Sequence, residues 1–391
     1  MLKLKNCLPA IALLIFLGNI SLAQSVILGQ EGQKLPITAA PFLQITPDAR
    51  TAGLGEAGVA SSPDANAAYW NPAKLVLLPE RSNLAFSYTP WLSKVVSDMY
   101  LYHMSAAQKL AEKNALGLSV TYFDMGDIQL TNASGTYIFL ENPHDLSISL
   151  SYAHKLGKQW SVGGSAKYIE SNYAATSTAS GNPQNSVGLA VDLGALYQTE
   201  MALFQQNTLL ALGINLANLG PKMHLLGTEQ FLPANLSLGS SLSSQLTSNH
   251  RMTWLVHLSK LLVPSPPVYE LDQNGQIIGM TGKDPNRGWF SGTFGSFTDA
   301  PDGFSEELSE IRIGTGLEYA FKESVELRAG YYRDSQDKGD RRYFTTGLGL
   351  RYRVISLDLA YLLPSGTKPG RTHPLQETLR VGLQLRFGGK V

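Results

Sequence analysis

From about residue 81 to the C-terminus, apolar and small polar side chains alternate strictly in segments of about ten residues. In 114–123, Leu116, Leu118, Val120 and Tyr122 interleave with Gly117, Ser119 and Thr121. In 145–154, Leu146, Ile148, Leu150 and Tyr152 interleave with Ser147, Ser149 and Ser151. In 355–363 and 377–387 the polar set also carries charge: Asp358, Arg380 and Arg386 alternate with Leu357, Leu359, Val381, Leu383 and Phe387. A period of two puts successive side chains on opposite faces of a strand. Aliphatics on one face and polar groups on the other suit a wall between lipid and a polar lumen.

Fourteen such segments are readable, near 83–89, 98–107, 114–123, 145–154, 160–170, 185–198, 207–216, 235–244, 250–258, 311–321, 325–332, 343–352, 355–363 and 377–387. Most approach the ~9–11 residues that a tilted strand needs to cross a bilayer. Connections after even-numbered segments are short (155–159, 322–324, 353–354), and most after odd-numbered ones are long (124–144, 171–184, 217–234, 259–310). A soluble sandwich has no reason for that parity, whereas an outer-membrane barrel has short periplasmic turns and long outer loops. The expectation is an all-β fold, a 14-stranded antiparallel transmembrane outer-membrane β-barrel closed by residues 81–391. Tyrosines near strand ends, among them Tyr122, Tyr152, Tyr319 and Tyr352, suit interfacial girdles; each alone reflects only β propensity.

The first 23 residues read as a cleaved secretory signal, with Lys3 and Lys5 ahead of the apolar run Ile11–Leu17 and a small-x-small site at Ser21-Leu22-Ala23. Cys7, the only cysteine, precedes the apolar run, so the mature chain offers no disulfide or thiol chemistry. Residues 24–36 form a polar leader, expected on the periplasmic side. Residues 37–80 are rich in Gly, Ala, Pro, Asp and Asn and have neither helix nor strand period. Such a segment needs outside support, and it is expected to fill the barrel as an N-terminal plug. Within it, Gly53-Leu54-Gly55-Glu56-Ala57-Gly58 matches GxGxxG. The turn signal Thr46-Pro47-Asp48 stands where a nucleotide site needs a strand, and Ser61-Ser62-Pro63 cuts short the helix that should follow. Close packing of small residues against a wall explains the glycines better.

Removing Lys3 and Lys5 leaves 29 basic against 31 acidic residues, which argues against a nucleic-acid partner. The histidines include no HExxH pair, and no nucleophile lies beside a base, so neither an enzyme nor a cofactor or metal is expected. The loop 259–310 carries Pro264-Ser265-Pro266-Pro267, a hairpin expected at Tyr269–Met280 turning at Asn274-Gly275, and the aromatics Trp289, Phe290, Phe294, Phe297 and Phe304. Burying each ring is worth about 1.5–3 kcal/mol. Either the loop folds over the barrel mouth or it shows these rings to a partner. Glu306-Glu307 reads as a pair of solvated loop carboxylates, with a place on the same docking surface.

At these residues the chain resembles a family. Gly58-Val59-Ala60, Asp64-Ala65 and Tyr69-Trp70-Asn71-Pro72-Ala73 are similar to the hatch of FadL-type barrels, a 14-stranded fold with an N-terminal plug. Pro41-Phe42-Leu43, Pro47-Asp48-Ala49-Arg50, Ser62-Pro63-Asp64, Ser87-Tyr88-Thr89-Pro90-Trp91-Leu92, Asp299-Ala300-Pro301, Gly303-Phe304-Ser305-Glu306-Glu307 and Arg342-Tyr343-Phe344-Thr345 resemble the PorV (LptO) family of the type IX secretion system of Bacteroidota. Asp302 stands where that pattern has Gly. The resemblance implies outer-membrane localisation and binding of the C-terminal signal domain of secreted cargo. It also implies partnership with a SprA-type translocon, a PorU-type sortase and outer-membrane lipid. It draws attention to Asp48, Arg50, Asp64, Asn71, Pro72 and Ala73 in the plug. A FadL-type transporter of hydrophobic molecules is the alternative; a lumen emptied of charge and a lateral gap in the wall would favour it.

Overall fold

A computed structural model describes residues 34–93, 95–132, 134–173, 185–203, 205–225, 227–271, 277–365 and 378–390. The expected signal, most of the leader and the Asn274-Gly275 turn lie outside the described residues. Fourteen strands form the wall: β1 (Glu80–Pro90), β2 (Tyr100–Ala111), β3 (Asn114–Asp124), β4 (His144–Lys155), β5 (Trp160–Asn172), β6 (Asn185–Leu203), β7 (Gln206–Leu219), β8 (Asn235–Thr247), β9 (His250–Leu261), β10 (Ile311–Phe321), β11 (Val325–Arg333), β12 (Arg342–Tyr352), β13 (Ile355–Pro364) and β14 (Leu379–Lys390). Each pairs antiparallel with its neighbours in sequence. β14 closes on β1 through pairs such as Leu84↔Leu385 and Phe86↔Leu383. Closure leaves no unpaired edge, which lipid would not tolerate.

The alternation read from sequence sorts the faces. Ser147, Ser149 and Ser151 of β4 are buried toward the lumen, whereas Ile148, Leu150 and Tyr152 are exposed on the outer surface. In β14, Arg380 and Gln384 are buried while Leu379, Leu383 and Phe387 face out. Short turns at 112–113, 156–159, 204–205, 248–249, 322–324 and 353–354 gather at one end of the barrel; every longer connection lies at the other. The short-turn end is therefore periplasmic and the long-loop end external. Rings mark both interfaces. Toward the outer end Tyr88, Tyr100, Tyr102, Tyr122 and His144 pack in series. At the periplasmic end Trp160 meets Tyr197, and Lys322 and Arg353 sit over Phe321 and Tyr352.

The segment before β1 fills the lumen, and it enters from outside. The Lys34 amide donates to the carbonyl of Asp337, in the β11–β12 loop, and the Ala39 amide to that of Phe231, in the β7–β8 loop. Both loops are external, so the described end of the leader, residues 34–36, is not on the periplasmic side as expected. The plug then descends. A 3-10 turn at Pro41–Gln44 buries Phe42 and Leu43 against Leu101, Phe123, Ile169 and Met223 in the outer half of the lumen. Helix α1 (Ala49–Ala52) follows, capped by the Asp48 carboxylate, which accepts from the Thr51 amide at 2.7 Å. Helix α2 (Ala67–Trp70) leads to a 3-10 helix at Pro72–Leu77. Its Leu75 and Val76 pack on Ala107, Ala115 and Ala153 near the periplasmic turns.

Glycines at inward positions of β5–β8 and β10–β12 let the plug backbone touch the wall. A Cβ added at Gly194 would lie 2.2 Å from Asn71 Oδ1, and one at Gly330 would lie 2.2 Å from the amide nitrogen of Gly55. Gly55 itself has φ +62° and faces the backbone of Thr315 and Tyr331. Contact and left-handed backbone, rather than phosphate binding, account for the glycine-rich run.

Candidate functional site: plug seat and outer loop

The expected plug residues converge on the wall. Arg50 projects from α1 between plug and barrel. Its Nη1 donates to Asp64 Oδ2 at 3.0 Å, and its Nε and Nη2 donate to the two carboxylate oxygens of Glu318, in β10, each at 3.2 Å. Glu318 also accepts from Arg328 Nε at 2.9 Å, and Arg328 Nη1 reaches Asp358 at 2.7 Å. Glu326 pairs with the remaining Arg328 nitrogen. Buried charges are tolerated only when paired in this way.

Asp48 does two tasks: one oxygen caps α1, and the other accepts from Trp70 Nε1 at 2.7 Å. Asn71 is fully buried. Its Nδ2 donates to the carbonyl of Ala195, in β6, at 3.0 Å, and its Oδ1 accepts from the Ala73 amide at 3.1 Å. Pro72 occupies the first helical position after this cap, where its missing N–H does no harm, and with Ala73 it rests on Gly163.

The outer loop is ordered by ion pairs at its base. It holds a hairpin (Val268–Leu271 with Ile277–Thr281), helix α3 (Trp289–Gly295) and helix α4 (Phe304–Ser309). Phe304 is 77% exposed and Phe290 63%; Trp289, Phe294 and Phe297 are between 36% and 42% exposed. Phe290 contacts the rings of Trp289 and Phe294, with centroids 5.7 and 4.8 Å away. The five rings thus lie outside the wall, on elements held in place from beneath.

Glu306 and Glu307 depart from the expectation of solvated carboxylates: both are buried. Glu306 Oε1 accepts from Lys338 Nζ at 2.7 Å. Glu307 accepts from Lys260 Nζ at 2.8 Å and from the backbone amides of Asp299 and Ala300. Their place is under the aromatic surface, not on it. The physical reason is that lysines from β9 and the β11–β12 loop reach α4 only in the folded barrel.

Burial works against the ionised form of Glu306, yet Lys338, the Asp302 amide and Lys34 together hold its pKa below the ordinary value. Glu310 is likewise lowered: Lys260, Lys338 and Ser265 outweigh its burial. A carboxylate with a depressed folded pKa adds stability above its unfolded value, ~4.3, and loses it as the pH falls through the folded one. Cleavage of the 262–310 loop by an acid-tolerant protease is therefore expected to be slow at neutral pH. It should accelerate once the pH drops below about 4, while the strands stay protected.

Sequence reading missed the wall partners Glu318, Arg328 and Asp358, and the lysines Lys34, Lys260 and Lys338. The available signal was charge at inward positions of an alternating strand: such residues require a partner in the lumen.

A family model described as Type IX secretion system protein PorV matches residues 29–268. That is more than half the chain and ends ahead of α3 and α4. No curated protein sequence matches significantly. Solved structures with a similar fold include the toluene transporter TodX of Pseudomonas putida, 13% identical over 90% of this chain and 98% of that one, with TM-score 0.49. The toluene transporter TbuX of Ralstonia pickettii is 11% identical over 87% and 98%, with TM-score 0.48. A FadL homologue of Pseudomonas aeruginosa is 11% identical over 91% and 100%, with TM-score 0.43.

Proposed function

The chain belongs to the Type IX secretion system protein PorV family, and from that premise we propose that its external loop surface receives the C-terminal signal domain of secreted cargo. In this reading the barrel takes cargo from a SprA-type translocon and passes it to a PorU-type sortase, whose attachment chemistry belongs to that partner. The observation that supports it is the set of five accessible rings on α3, α4 and their connection. Aromatic side chains are enriched where proteins dock, because each buries a large area with few rotors. The plug, in the same reading, keeps the barrel sealed while cargo passes elsewhere.

Transport of small hydrophobic molecules finds less support. The outer half of the lumen is filled by the Phe42–Leu43 cluster. Around Tyr69, Asn215, His257 and Arg312 a polar cavity of about 70 Å³ remains, and beside Ala60, Ser62 and Pro63, toward the short-turn ends of β6–β9, one of about 320 Å³; only the second, on the periplasmic side of the plug, reaches the low end of the roughly 300–1,000 Å³ usual for ligand pockets. Charged pairs line the lumen wall and tie it to the plug, and the strand ladder closes all the way round.

Deletion of 285–305 tests the docking role. Cargo is expected to disappear from affinity purifications of outer membranes, identified by mass spectrometry, while the barrel still migrates as a heat-modifiable band. Undiminished cargo recovery with an intact barrel would sink the proposal.

A further inference from the structure

We infer that the last residues of the leader, 34–36, are a structural part of the external docking face, with Lys34 serving as a strut that completes a three-lysine latch beneath α4. That this face receives a partner rests on the proposed function; that the leader helps fasten it rests on the contacts alone.

Three lysines from separate parts of the sequence converge on one short helix. Lys260 ends β9 and pairs with Glu307 and Glu310. Lys338, in the β11–β12 loop, lies 2.7 Å from both Glu306 and Glu310. Lys34, in the leader, lies 2.6 Å from Asp302 and 3.2 Å from Glu306. Glu306 is thus shared between the leader and a wall loop, and its Oε2 also accepts the Asp302 amide at 2.9 Å. Asp302 and Gly303 directly precede Phe304, the most accessible of the five rings.

The leader is held on its other side as well. The Lys34 amide donates to the Asp337 carbonyl, one residue from Lys338. Five residues on, Ala39 is tied to Phe231, whose ring lies against Gly292 of α3. The same stretch, 34–39, therefore touches the supports of both aromatic helices as the leader passes into the plug.

Loosening one strut of a shared ion-pair cluster frees its local element without unfolding the whole, because local openings draw only on the contacts that hold the opened part. Lys34→Glu places a like charge against Asp302 and Glu306. It leaves the wall and the Arg50–Glu318 network untouched.

Two measurements on the full-length protein decide the matter. An epitope inserted just ahead of Lys34 is expected to bind antibody on intact cells as well as after the outer membrane is opened. Binding only after opening would overturn the inference. In the second, Lys34→Glu is expected to speed protease cleavage within 282–303 by roughly tenfold or more, the scale of losing a charged hydrogen bond, with heat-modifiable migration unchanged. Lys34→Arg is expected to restore slow cleavage. Wild-type cleavage rates in Lys34→Glu would overturn the latch. Faster cleavage with undiminished cargo recovery would uphold the latch and count against the loop as the docking site.

Discussion

Replacing Arg50 with alanine is expected to free the plug from the wall while the barrel persists. The substitution strands Asp64 and Glu318, both buried, with one cationic partner fewer each. Removing one member of a buried ion pair costs about 3–5 kcal/mol, because the remaining charge has neither water nor partner. The wall does not share this loss in full, since Glu318 keeps Arg328 at 2.9 Å. The expected phenotype is entry of large antibiotics that an intact outer membrane excludes, with normal amounts of heat-modifiable barrel. Arg50→Lys should recover little, since one ammonium cannot reproduce a fork that serves Glu318 and Asp64 together. Wild-type antibiotic resistance in Arg50→Ala would show that the seal does not depend on this network.

Gly194→Val is expected to act at the other side of the plug. An added Cβ would overlap Asn71 Oδ1 and approach Pro72 Cδ to 3.0 Å. On the plug side the contact is a buried cap followed by proline, which has little room to move aside. Overpacking usually costs about 1–3 kcal/mol, and here the strain falls on plug seating. Valine suits a strand, so the wall itself should tolerate it. Asn71→Ala probes the same contact from within: it leaves the Ala195 carbonyl and the Ala73 amide without their partner, a loss of about 1–3 kcal/mol. Both variants are expected to leak, Gly194→Val more than Asn71→Ala. Equal and wild-type permeability in the two would remove this contact from the sealing function.

Much of the wall was legible because its cause is local. The serines of β4 alternate with aliphatics within one short segment, and that rhythm alone assigns a lumen face and a lipid face. Loop parity then set the two ends, since chain order on a closed antiparallel wall leaves no freedom. The same local reading mistook Glu306 and Glu307 for solvated groups. Their lysines stand 32 and 47 residues away, and spacing along the chain gives no hint of them. Arg50 was singled out from the sequence by resemblance, but Glu318, 268 residues on, was not.

The sequence by itself determined an alternating, closed, lipid-facing cylinder with a glycine-rich segment ahead of it. A period-two pattern needs nothing beyond neighbouring residues to declare itself. Only the tertiary structure decided that this segment enters from the external end, that Arg50 meets Glu318, and that carboxylates lie beneath the accessible rings. Those outcomes depend on charges brought together by barrel closure, and burial forces such charges to find partners wherever the chain has placed them.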